Sequence, residues 1–80
     1  MNIKVLGPGC INCKTLEART RDALNKLNIE ATIEKVIDYS EILSFGLVRT
    51  PGLIIDNKIV VQGSVPTVEQ LQNLIKQQII

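Results

Sequence analysis

The chain is predicted to fold as an α/β sandwich of element order βαβαββα, a four-stranded mixed sheet with helices on both faces. Three observations carry that expectation: a strand, helix and strand in succession over residues 2–37, a hairpin pattern about Asp56-Asn57-Lys58, and an amphipathic segment at the C-terminal end. Residues 2–6, Asn-Ile-Lys-Val-Leu, read as a short strand stopped by Gly7-Pro8-Gly9. From Ile11 to Leu27 the residues Cys13, Leu16, Thr20, Ala23, Leu24 and Leu27 recur at three- and four-residue steps, while Lys14, Glu17, Arg21 and Lys26 fall largely elsewhere on the wheel. Asn28 suits the end of that helix, because Asn tolerates the left-handed backbone that closes helices. The β-branched stretch 30–37 reads as a second strand, and a strand joined to the next through a helix predicts a parallel, right-handed unit.

Asp38 with Glu41 three residues later is a capping-box-like start for a second helix, with Ile42 and Phe45 on its docking face and Gly46 at its end. Thr50-Pro51 breaks the chain, and residues 52–63 read as two β-rich arms of an antiparallel hairpin. Thr67 and Gln70 form a further capping box, opening a helix whose inward face is Val68, Leu71, Leu74 and Ile75.

Composition bounds the function. Eighty residues make one domain, 1–80, and 45% hydrophobic against 21% charged residues describe a soluble globular protein. Aromatics make up 2%, so aliphatic side chains must fill the core. A net charge of +1 from nine basic and eight acidic residues, spread along the chain, gives no block for nucleic acid or an anionic membrane. No apolar run approaches the roughly 18 residues of a membrane span, and no signal-like region opens the chain, so a cytoplasmic protein without membrane contact is expected. A monomer is expected separately, although the apolar Ile79 and Ile80 of the tail could pack on the domain or on a partner.

Two cysteines, Cys10 and Cys13, stand at the start of the first helix, directly after the first strand. A helix N-terminus directs unpaired N–H groups and the positive end of its dipole at the first sulfur, which favours thiolate. A second sulfur one turn further on can resolve a mixed disulfide made at the first. The same pair would suit a soft copper ion. In a reducing cytosol such a pair is catalytic or metal-binding rather than a structural bridge. The chain has no histidine, which excludes His-based acid–base catalysis and any Cys/His zinc site within one chain. The Gly-Pro-Gly loop places Cys10 at the surface, whereas Cys13 is in phase with Leu16 and Thr20 and should be buried. The expected roles follow: Cys10 attacks and Cys13 resolves.

The strand leading into Gly-Cys10-Ile-Asn-Cys13-Lys, the Thr50-Pro51 step before a strand, and Gly63 closing the hairpin before the last helix together resemble the thioredoxin superfamily. The resemblance is to its smallest thioredoxin-like or glutaredoxin-like redox-active disulfide members, and it spans the whole chain. It implies a thioredoxin-like fold and a thiol–disulfide oxidoreductase that reduces protein disulfides, with no bound cofactor or metal. It further implies a cis Pro51 against the sulfurs, with Arg49 and Thr50 beside it pairing with an extended substrate segment. A thioredoxin-reductase-like electron donor is implied in preference to glutathione, because Ser64-Val65-Pro66-Thr67 supplies no acid before Glu69.

The chain departs from thioredoxins in lacking a tryptophan before Cys10, in carrying Ile11-Asn12 between the cysteines, and in placing Lys4 where that family keeps a buried carboxylate. Facing the sulfurs, Lys4 would favour thiolate; as a surface lysine with its stem along the sheet edge it would not. Lys14 and Arg49 are further candidates to add positive charge near the thiols. The alternative function is soft-metal (copper) binding or trafficking through the same cysteines. Against it, copper-chaperone domains carry a methionine where Pro8 stands and end in a strand, and the Thr-Pro step has no use in that fold.

Overall fold

The computed structural model describes residues 1–9 and 11–79. The elements, in chain order, are β1 (Asn2–Leu6), α1 (Ile11–Leu27), β2 (Thr32–Val36), α2 (Tyr39–Ser44), β3 (Gly52–Ile55), β4 (Lys58–Gln62) and α3 (Val68–Ile79). This is the expected order βαβαββα. The four strands form one mixed sheet in the order β2-β1-β3-β4, with β1 parallel to β2 and antiparallel to β3, and β3 antiparallel to β4.

Strand alternation divides the core into two layers. Ile3 and Val5 of β1, Leu53 and Ile55 of β3 and Val61 of β4 face α1 and α3, where Leu16, Ala23, Leu24, Leu71 and Ile75 close over them. Leu6, Val36 and Ile54 point to the other face, under Ile42 of α2 and Leu47 of the following loop. Burying each such aliphatic side chain contributes about 1.5–3 kcal/mol. Thr20, the one buried polar residue of α1, donates its hydroxyl to the Leu16 carbonyl at 2.7 Å.

The ends of the elements follow their local chemistry. Asn28 adopts φ 59°, its N–H bonds the Asn25 carbonyl at 3.1 Å, and the Ile29 N–H bonds Leu24 at 3.0 Å, the bond pattern of a Schellman stop. Asp38 does cap α2, but its carboxylate accepts from the Ser40 N–H at 2.9 Å, one position before Glu41. The Thr67–Gln70 box is reciprocal: the Thr67 N–H donates to Gln70 Oε1 at 2.9 Å, and the Gln70 N–H to Thr67 Oγ1 at 3.2 Å. Asp56 and Asn57, at φ 46° and 71°, form a two-residue turn, so Lys58 already belongs to β4 and pairs with Ile55. That turn is tied to β1, because Asn2 N–H donates to Asp56 Oδ1 at 2.9 Å and Asp56 N–H to the Asn2 carbonyl at 2.8 Å.

Three expectations need correction. The second strand is shorter than 30–37, and Ile37 is exposed beyond its end. Phe45 does not dock into the core beside Ile42; it is the C-cap of α2 and sits partly exposed at the surface. Lys4 is not at a sheet edge, because β1 is an interior strand; its ammonium lies 4.7 Å from the centre of the Phe45 ring. Alternation puts Lys4 on the α2 face, with Leu6, and the α1 cysteine face is the other one. The ammonium is held away from the sulfurs by the sheet itself.

Candidate functional site

The site lies where β1 ends, α1 begins and the loop before β3 returns. Gly7 does not stop the β ladder, since its N–H still donates to the Val36 carbonyl at 2.9 Å. The chain then turns through Pro8 and Gly9, the latter at φ 91°, a backbone open to glycine at no steric cost. Cys10 lies outside the described residues, and its expected place as the exposed nucleophile is taken up below as a proposal. Cys13, in the first turn of α1, is 5% exposed and disulfide-bonded. Ile11, between the two cysteines in sequence, is 82% exposed and leads outward from the same helix end.

Three residues from distant parts of the chain meet at the Cys13 sulfur. A Cβ placed on Gly7 would overlap Cys13 Sγ, and would lie 3.1 Å from Cys13 Cβ and 3.9 Å from Pro51 Cα. Gly7 thus fills the narrow space between the sulfur and Pro51 with backbone alone. The Thr50–Pro51 peptide bond is cis, and Pro51 is buried. The β1–β3 register explains the juxtaposition: Leu6 pairs with Gly52, so the residues just beyond them, Gly7 and Pro51, are brought side by side.

The loop carrying Pro51 is anchored on both flanks. Gly63, at φ 76°, donates its N–H to the Pro51 carbonyl at 2.9 Å, and Val48 N–H donates to Gln62 Oε1 at 2.8 Å. The Arg49 stem folds over Gly63 so closely that a Cβ there would sit 2.9 Å from Arg49 Cδ. Arg49 is exposed and Thr50 half-buried. Among the described residues, the arrangement therefore unites Cys13 with Pro51 through Gly7 and places Thr50 and Arg49 on the adjoining loop.

A depression of about 230 Å³ opens beside Cys13, floored by Val5 and Gly7 and edged by Lys14, Glu17, Lys35 and Ile37. Glu17, expected on the solvated side of the wheel, is instead half-buried: Oε1 accepts from Lys35 Nζ at 3.1 Å, and Oε2 pairs with Arg21 NH2 at 3.0 Å. Burial pushes the Glu17 carboxyl up, but the hydrogen bonds from Lys35 and Arg21 outweigh it and hold the group below its ordinary value.

Gly7 and Glu17 are the site features that sequence reasoning missed. Gly7 was hidden because a glycine before a Pro-Gly pair reads as a strand breaker; its steric role needs the β1–β3 register. Glu17 carried a signal, since it lies one turn after Cys13 and Cβ atoms four apart on a helix are about 5–6 Å from each other.

An α/β domain with a disulfide-bonded cysteine at a helix N-terminus, set against a cis-proline loop, belongs to the class of thiol–disulfide folds. Residues 1–76 match the model of the thioredoxin domain family. The chain is 36% identical over 75 residues to a thioredoxin of Methanothermobacter thermautotrophicus, covering 94% of this chain and 97% of that protein. It is also 36% identical over 74 residues to a thioredoxin of Methanocaldococcus jannaschii, covering 92% of this chain and 85% of that one. The chain belongs to the thioredoxin family, whose members are thiol–disulfide oxidoreductases. None of the helices among the described residues is long and apolar enough to cross a membrane.

Proposed function

We propose that this protein is a cytoplasmic protein-disulfide reductase, a single thioredoxin-like domain acting as a monomer through the dithiol of Cys10 and Cys13. The observation that carries the reading is the disulfide-bonded, buried Cys13 packed through Gly7 against cis Pro51. A buried sulfur at that place suits a resolver, which needs to meet only the other cysteine, while an incoming substrate needs a sulfur at the surface.

In the proposed cycle the Cys10 thiolate attacks one sulfur of a substrate disulfide, forms a mixed disulfide, and expels the other substrate sulfur as a thiolate that takes up a proton. The Cys13 thiol then gives its proton to solvent and its sulfur attacks Cys10, forming the protein disulfide and releasing the second substrate thiolate. The substrate gains two electrons and the dithiol loses two. A thioredoxin-reductase-like donor restores the dithiol. Arg49, Thr50 and Pro51 form the docking loop, whose backbone pairs with an extended substrate segment.

The test is a trapping experiment. Cys13→Ser should accumulate a mixed disulfide with a protein substrate through Cys10, Cys10→Ser should accumulate none, and the native protein should speed insulin reduction by dithiothreitol. Equal alkylation of both thiols from about pH 5 to 9 without a trapped adduct would overturn the roles. Failure to reduce insulin, together with stoichiometric Cu(I) retained against a thiol competitor, would overturn the redox reading in favour of metal carriage.

A further inference from the structure

We infer that the Glu17–Lys35 ion pair sets how tightly Cys13 holds its proton, Glu17 keeping the proton on and Lys35 drawing it off. The inference rests on the dithiol reading above and deepens it by naming what controls the resolving sulfur.

Glu17, Lys35 and Cys13 edge one depression. Glu17 follows Cys13 by four residues on α1, which places their side chains as neighbours on one helix face. Its side chain is 15% exposed, whereas those of Lys35 and Arg21 are 60% and 54% exposed. Solvent screens the two outer cations more than the inner carboxylate, so the carboxylate acts on the sulfur more strongly than either cation does. Lys35 reaches the depression from β2 across a 3.1 Å contact, which fixes its ammonium beside Glu17.

The loop before β3, which meets Cys13 through Gly7 and Pro51, carries the exposed Arg49, whose stem folds over Gly63. The charged groups of α1 that edge the depression or meet Glu17 are Lys14, at the rim, and Arg21, on Oε2 of Glu17. β1 contributes Val5, and Gly7 follows it, neither of them charged. Arg19 turns to the loop before α3, donating to the Val65 and Pro66 carbonyls at 3.3 and 3.1 Å. Lys4 is on the opposite face of the sheet, over Phe45. Cys10 also titrates and is followed separately in the test.

As a stabilising bridge the pair would contribute little, since exposed ion pairs yield about 0–1 kcal/mol. On a neighbouring thiol, a single charge about 6 Å away shifts the proton affinity by about half to one pH unit at the effective dielectric of about 40–80 that suits a depression open to solvent. The Glu17 carboxyl lies below its ordinary value, so it is an anion throughout the range in which a thiol titrates. The sulfur therefore feels a constant field.

The two halves of the pair act with opposite sign, which separates this role from a structural one. The reduced protein is mixed with one equivalent of Ellman's disulfide in a stopped-flow instrument across pH. The first thionitrobenzoate released reports attack by Cys10, and the second reports displacement by Cys13. Glu17→Gln is expected to lower the pH midpoint of the second phase by about half to one unit, and Lys35→Gln to raise it by less, because solvent screens the more exposed ammonium. The double variant should lie between the native and the Glu17→Gln midpoints. Circular dichroism of each variant establishes that it is folded. Midpoints that move in the same direction, or fail to move, overturn the inference. A native protein that releases no second thionitrobenzoate would instead overturn the dithiol reading, whatever the variants do.

Discussion

Gly7 is the residue on which the site depends most directly. A methyl group there has nowhere to go, because Cys13 Sγ occupies its position and Pro51 Cα stands 3.9 Å away. Gly7→Ala is expected to cost about 1–3 kcal/mol by overpacking. It should also displace either the sulfur or the Pro51 loop. Urea denaturation measures the first effect, and the rate of the second thionitrobenzoate release measures the second; a variant with native stability and native kinetics would contradict the packing described. Cys13 itself was legible from phase alone, since it shares the buried stripe of Leu16 and Thr20. The role of Gly7 was not, because sequence shows neighbours along the chain and this contact joins residues 7, 13 and 51.

At the scale of elements, most boundaries were legible because capping chemistry is local. The Thr67–Gln70 box is reciprocal as its spacing predicts. Thr67→Ala should therefore lower stability by about 0.5–2 kcal/mol in denaturant titration while leaving thiol kinetics unchanged. The hairpin was legible as a hairpin, but its turn is one residue tighter than the polar run implies, since Asp56 and Asn57 both accept positive φ. What could not be read was the lateral order of the strands. Placing β1 in the interior decides that Lys4 meets Phe45, and nothing in residues 2–6 announces it.

The Glu17 bridge belongs to this scale too, because it ties α1 to β2. The folded carboxyl lies below its ordinary value of 4.5, so the bridge stabilises the fold above that pH and is lost as the pH falls through the folded value. Glu17→Gln should flatten the acid limb of the stability curve below about pH 4.5. Thermal midpoints measured between pH 3 and 7 check this, and an unchanged acid limb would contradict it.

The whole molecule is a thin sheet with a different apolar layer on each side, and for 80 residues a total stability of about 4–12 kcal/mol is the ordinary range. Both layers hang on the same strands, which makes unfolding of one unfold the other. Leu16→Ala on the α1 face and Leu47→Ala on the α2 face should each cost about 2–5 kcal/mol and shift one common transition. Far-UV circular dichroism in urea checks it; a two-step curve in either variant would show that the layers melt separately. The fold class was legible from element order, whereas the assignment of residues to the two layers required the sheet register.

The sheet also has two unlike ends. Cys13, Gly7 and Pro51 gather at one, and at the other the Asp56–Asn57 turn is clasped to Asn2 by bonds of 2.9 and 2.8 Å. The four residues of β3 separate them by about 13 Å at the usual rise per residue. Lys58, exposed beside the clasped turn, is therefore a natural point of attachment. A protein fixed to an electrode or bead through that amine would present its sulfur end outward, on a stem held rigid by the clasp.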